Sequence, residues 1–199
     1  MNRWDEVAAR HVTKTDKFAN GYGPLYRELC EPLGTEGRIL EIGVWRGGSL
    51  DLWRELFPDG LVVGVDNGSD QKAFEVEVPE GTVMADQDSQ VLPHLVSEYS
   101  SFYDIIIDDA SHNGAKSAVT WSLLWPLVAP GGWYVLEDYG VGVPGNEPYF
   151  GVPCYNGTSM LDLAQEFVSR SARYSWRPGA DIEEFRGRSS IIAIRKKAS

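Results

Sequence analysis

GRILEIGVWRGGSLDLWRELFP, residues 37–58, changes its hydrophobic period halfway. Ile39, Leu40, Ile42 and Val44 make residues 37–44 apolar on both alternating sets, as in a strand covered on both faces. Three glycines follow: Gly43, Gly47 and Gly48. Leu50, Trp53 and Phe57 then recur at helical spacing over 47–58, until Pro58 stops the run. Ser49 is the expected N-cap of that helix. Strand, glycine turn and helix in this order are the repeating unit of a parallel sheet with helices on its faces.

The same alternation continues outward. Strands are expected at 60–68 (GLVVGVDNG), 81–87 (GTVMADQ), 102–109 (FYDIIIDD) and 133–140 (WYVLEDYG). Helices are expected at 89–100 and at 115–132, the second ending in Pro-Gly-Gly. Residues 140–159 break the alternation with Gly, Pro and aromatics, and their length points to a functional loop. A helix at 159–174, a short strand around Trp176 and a last strand at 189–197 complete the chain, with a helical segment at 1–36 before the first strand. The expectation is an α/β fold, mostly parallel with right-handed crossovers, forming one domain over 1–199.

Composition narrows the function. A net charge of −11 repels phosphate backbones and anionic lipid, so neither nucleic acid nor membrane is an expected partner. No apolar run approaches the roughly 20 residues of a membrane span, and the first residues lack the apolar core of a signal peptide. Cys30 and Cys154 show no pairing or metal spacing and read as free thiols of a cytoplasmic protein.

The glycine turn brings backbone amides to a ligand at a helix start, with Gly43, Gly47 and Ser49 expected at the cofactor. Asp66 ends the second strand, placed like the acid that holds a ribose diol. The turn is not a dinucleotide fingerprint, because Trp45 stands where its second glycine belongs. Glu41 leading the turn, together with Asp66, is instead the pattern of S-adenosylmethionine (SAM) binding, with Glu41 organising the loop at the methionine end. Asp86 and Gln87 end the third strand at the same edge, where Asp86 could accept from an adenine amine. Ligands of such sheets bind at the carboxyl ends of the strands.

Strand four ends on Asp108-Asp109 and strand five on Glu137-Asp138. Four carboxylates on one rim should bind a hard divalent cation; Mg²⁺ suits best, with Mn²⁺ or Ca²⁺ as alternatives. Because neighbouring strand residues point to opposite sides, Asp109 is assigned to the metal with Glu137 and Asp138, and Asp108 to the cofactor side. His112 follows Asp109 and is a suitable general base at neutral pH; a cap on the next helix is its alternative role.

LEIGVWRGGSL, GVD, DQ, IDDASH and GGWYVLEDY together resemble the SAM- and metal-dependent sugar O-methyltransferases of natural-product biosynthesis, of the macrocin and mycinamicin type. TDKFANGYGPLY (15–26) resembles the segment that precedes the first strand in that family, which adds Tyr22 to the cofactor-binding set. The resemblance implies a Rossmann-like class I methyltransferase fold of seven strands with the last antiparallel. It implies SAM and usually Mg²⁺, Asp109, Glu137 and Asp138 as metal ligands, and His112 with Asp109 in catalysis. It also implies a glycosylated small-molecule acceptor, and homo-oligomers are compatible with it. Tyr149, Phe150 and Tyr155 are the aromatics expected beside the acceptor. Two positions depart from the family pattern: Ala110 replaces a common Gly, and Asn20-Gly21 precede Tyr22 where a His is frequent. Three alternatives stay open: a catechol-type phenol as acceptor, an NAD-dependent oxidoreductase, and a non-catalytic SAM-binding protein.

Overall fold

A computed structural model describes residues 3–141, 159–172 and 181–198. Its seven strands are β1 (Arg38–Ile42), β2 (Leu61–Asp66), β3 (Val83–Met84), β4 (Tyr103–Asp108), β5 (Val128–Leu136), β6 (Ile182–Arg188) and β7 (Ile191–Lys196). They form one sheet in the order β3-β2-β1-β4-β5-β7-β6. β1 to β5 are parallel, and β7 runs antiparallel between β5 and β6. The helices are α1 (Arg3–His11), α2 (Gly23–Cys30), α3 (Gly48–Leu56), α4 (Ser69–Ala73), α5 (Leu92–Ser97), α6 (Gly114–Leu124) and α7 (Met160–Ser171).

The strands are apolar throughout because both faces are covered. Leu40, Ile42, Val63, Ile106, Tyr134 and Leu136 pack with Trp121 and Leu124 of α6 and Leu163 and Phe167 of α7. Ile39, Ile105, Ile107 and Val135, from the intervening positions, pack with Trp4 of α1, Leu25 and Tyr26 of α2, and Leu50 and Trp53 of α3. β1 pairs with β2 on one side and β4 on the other, so the strand order reverses there. Such a reversal opens a crevice at the carboxyl ends of the two strands.

Five elements differ from the sequence expectation. Gly47, in the left-handed region at φ 78°, caps α3, and Ser49 sits inside its first turn with the hydroxyl turned inward to Glu41. The helix expected to 132 ends at Leu124, and a single 3₁₀ turn at Trp125–Leu127 leads into β5. Pro130-Gly131-Gly132 therefore lies within β5; Gly131 has φ 75°, and the β4 pairing shifts register between Tyr103 and Ile105. β3 keeps two residues of the seven expected. β6, outside the strands expected from sequence, is a polar edge strand held by β7. Tyr149, Phe150, Tyr155 and Trp176 lie outside the described residues, as does Cys154. Among the described residues no helix is long and apolar enough to cross a membrane.

Candidate active site

A cavity of roughly 670 Å³ opens at the carboxyl ends of β1, β2 and β4. Its walls are the glycine turn after β1, residues 66–70 after β2, Ala85–Gln87 after β3, and Asp109–His112 after β4. Residues 12–16 and Ala19, between α1 and α2, close another side.

The glycine turn is tied from β2. The Gly43 amide donates to the Val65 carbonyl at 2.8 Å, with Gly43 at φ 87°. A Cβ at Gly43 would lie 2.2 Å from the Asp109 carbonyl oxygen, so glycine is required by close approach as well as by φ. Asp66 Oδ2 accepts from the Val44 amide (2.9 Å), the Trp45 amide (3.3 Å) and Gln71 Nε2 (3.1 Å), and Oδ1 accepts from the Gly68 amide (2.8 Å). The acid expected to hold a ribose thus lines the cavity while four donors of its own chain converge on it; its observed work is to shape the turn. Gly47 caps α3 behind the wall that Gly48 and Ser49 line.

Glu41 is buried beneath that wall rather than in it. It accepts from Ser49 Oγ (2.8 Å) and Trp53 Nε1 (3.2 Å), and Lys17 Nζ lies 3.1 Å from its other oxygen. Burial raises its pKa above the usual carboxylate value. Asp86 is an exposed wall residue that accepts from Asn67 Nδ2 (3.0 Å) and Lys116 Nζ (3.3 Å); the Asn67 bond and then Lys116 lower its pKa. Gln87 lines the cavity and also accepts from Ser111, joining the β3 and β4 loops.

Strand alternation separates the paired acids, but one expected direction fails. Asp108 does not face the cofactor cavity. It is buried on the α6 side, accepts from the Tyr134 hydroxyl at 3.1 Å, and burial pushes its pKa up to about 6. Asp109 points the other way, its Oδ2 2.8 Å from Lys17 Nζ.

Asp109, His112 and Asp138 converge, each offering a ligand atom within 4.8 Å of the others. His112 adopts φ 51° and its Nε2 lies 3.7 Å from Asp138. Its alternative role as helix cap falls to Asn113, whose side chain accepts from the Ala115 and Lys116 amides. Asp138, at φ 53°, has its pKa raised by burial; the neighbouring Asp109 charge pushes in the same direction. Two half-buried carboxylates beside an imidazole fit a divalent cation, which would relieve that crowding.

Glu137, expected with Asp109 and Asp138, lies outside the convergent group of Asp109, His112 and Asp138. It is fully buried, takes Lys17 Nζ at 2.6 Å and accepts from the Tyr26 hydroxyl. Tyr22, expected at the cofactor, is buried and not among the residues lining the cavity; its hydroxyl donates to Asp138. Lys17 itself was not expected from sequence, because a lysine in a polar run ordinarily reads as solvated.

No family model matches the chain. It is 35% identical over 142 residues to mycinamicin VI 2''-O-methyltransferase of Micromonospora griseorubida, covering 67% of this chain and 35% of that protein. It is 32% identical over 199 residues to L-olivosyl-oleandolide 3-O-methyltransferase of Streptomyces antibioticus, covering 94% of this chain and 50% of that protein. The chain therefore spans half the length of these curated relatives, or less. Among solved structures, the MycE methyltransferase in complex with Mg, SAH and mycinamycin VI superposes with a TM-score of 0.77 at 24% identity, over 99% of this chain and 55% of that one. The SAH-bound Podospora anserina methyltransferase PaMTH1 superposes with a TM-score of 0.59 at 17% identity, over 99% and 88%. These superpositions establish the class I methyltransferase fold.

Proposed function

Since the chain belongs to the natural-product sugar O-methyltransferase family over the region it shares with its relatives, we propose that it methylates a hydroxyl of a glycosylated small molecule, using SAM and a divalent cation such as Mg²⁺. The observation that carries the reading is the convergence of Asp109, His112 and Asp138 on one side of a cavity whose other walls are the glycine turn and Asp86. A divalent cation held by Asp109 and Asp138 would supply Lewis acidity, lowering the pKa of a hydroxyl beside it.

The chain's own residues do the rest. Gly43, Gly48 and Ser49 bring backbone and the start of α3 to the cofactor, and Asp86 offers a carboxylate to an amine at the other end of the cavity. His112 is placed to take the proton that the acceptor hydroxyl loses as its oxygen gains the methyl group. Asp138 faces the His112 ring and steadies the imidazolium that results. Residues 12–16 and 19 line another side of the cavity.

The acidic surface supports a cytoplasmic enzyme whose partners are small molecules rather than nucleic acid or membrane. Calorimetry with S-adenosylhomocysteine (SAH), NAD and Mg²⁺ tests the cofactor reading, and mass spectrometry over glycosylated and phenolic acceptors tests the activity. Binding of NAD without SAH would defeat the reading. His112→Ala should keep SAH affinity and lose most turnover; a near-normal rate at neutral pH in that variant removes the base role.

A further inference from the structure

We propose that Lys17 is a positioning residue for the acidic rim, its ammonium setting the Asp109 carboxylate against the cavity. The inference rests on the reading of Asp109 and Asp138, beside His112, as a cation site. Lys17 is buried, and its Nζ lies 2.8 Å from Asp109, 2.6 Å from Glu137 and 3.1 Å from Glu41.

The three acids do not depend on Lys17 equally. Glu41 also accepts from Ser49 and Trp53, and Glu137 from Tyr26. Among the described residues Lys17 is the one side chain that donates to Asp109. It therefore decides where the free Asp109 oxygen points. A point charge suits this task, since it can meet three carboxylates from one position.

Lys17 also reaches the second rim acid. Its carbonyl accepts from the Tyr22 amide at 2.8 Å, and the Tyr22 hydroxyl donates to Asp138. The residues just before it, 12–16, line the cavity. One residue thus ties the cavity wall to both acids that face His112.

The test titrates Mn²⁺ (by electron paramagnetic resonance) and SAH (by calorimetry) separately into the full chain, so that no acceptor is needed. Lys17→Met should bind SAH within about threefold of wild type and Mn²⁺ at least about tenfold more weakly, close to 1.4 kcal/mol. Mn²⁺ should also lose much of its broadening of the His112 ring signals in the NMR spectrum. Lys17→Arg keeps the charge, protecting the fold if the methionine variant fails, yet its wide planar group displaces Asp109. Mn²⁺ affinity in it should still fall at least about threefold. Wild-type Mn²⁺ affinity in a folded Lys17→Arg or Lys17→Met protein overturns the proposal. A wild-type chain that binds no Mn²⁺ defeats the cation-site reading itself and the Lys17 assignment with it, an outcome distinct from equal binding by wild type and variants.

Discussion

The side-chain carbonyl of Gln87 accepts from Ser111 twice, from its amide at 3.1 Å and from its hydroxyl. Gln87 is anchored in turn, its Nε2 donating to Thr120 Oγ1 of α6 at 3.1 Å. This latch holds the loop whose next residue, His112, sits in the left-handed region at φ 51°. A non-glycine residue persists there only where its surroundings over-determine it.

Gln87→Leu should therefore misplace His112 more than it disturbs the cofactor. Turnover is expected to fall about 100-fold, as for a misplacement near 1 Å. SAH affinity should change less than about threefold, well under 1.4 kcal/mol. Gln87→Glu, which retains an acceptor for Ser111, should recover part of the rate. Steady-state kinetics beside SAH calorimetry checks both expectations; equal losses in the two would show that Gln87 acts on the cofactor.

Asp66 holds the glycine turn with four bonds, so Asp66→Ala should loosen it. Hydrogen bonds to a charged group contribute about 1.5–3 kcal/mol each, and losing the ordered turn should weaken SAH binding at least about tenfold. Asp66→Asn should be milder. Unchanged SAH affinity in the alanine variant would contradict the assignment of Asp66 to the turn.

Gly43→Ala places a methyl against the Asp109 carbonyl and forces a side chain into φ 87°. A loss of at least about 3 kcal/mol is expected from strain of this kind. Urea unfolding measures it, and Mn²⁺ and SAH binding should weaken together because the displaced backbone belongs to both walls.

Asp108 gives the stability curve a pH signature. Burial raises its pKa from 3.8 to about 6, so the folded chain favours the neutral acid. Its stabilising contribution is complete below pH 3.8 and is lost as the pH rises through about 6. The displacement corresponds to about 3 kcal/mol. Asp108→Asn keeps an acceptor for Tyr134 and removes the titration. Its stability relative to wild type should thus improve by up to about 3 kcal/mol between pH 4 and pH 8, measured by urea unfolding. A constant difference across that range would refute the buried-acid account.

Much of this arrangement was legible in the residues. β1, β2 and β4 announce themselves because full burial on both faces demands unbroken apolar runs, and the acids at their ends mark the rim. The opposite directions of Asp108 and Asp109 also follow from strand geometry, although their destinations do not. Asp108 meets Tyr134 and the buried face of α6, which only the packed sheet brings near. Lys17 was illegible for the same reason: Glu41, Asp109 and Glu137 are far apart in the chain, and only the fold collects them around one ammonium. Pro130-Gly131-Gly132 misled because a bulged strand uses the same residues as a helix end. β6 was missed because an edge strand carries few apolar positions.

The contact between Gly43 and Asp109 has a consequence for how such a protein can change. With 2.2 Å between an imagined Cβ and the neighbouring carbonyl, the turn after β1 and the loop after β4 share one surface with no slack. Neither can be grafted from a relative alone; a transplanted turn must arrive with its matching loop. Changes in length or shape are then left to segments outside that contact, where neither backbone presses on the other.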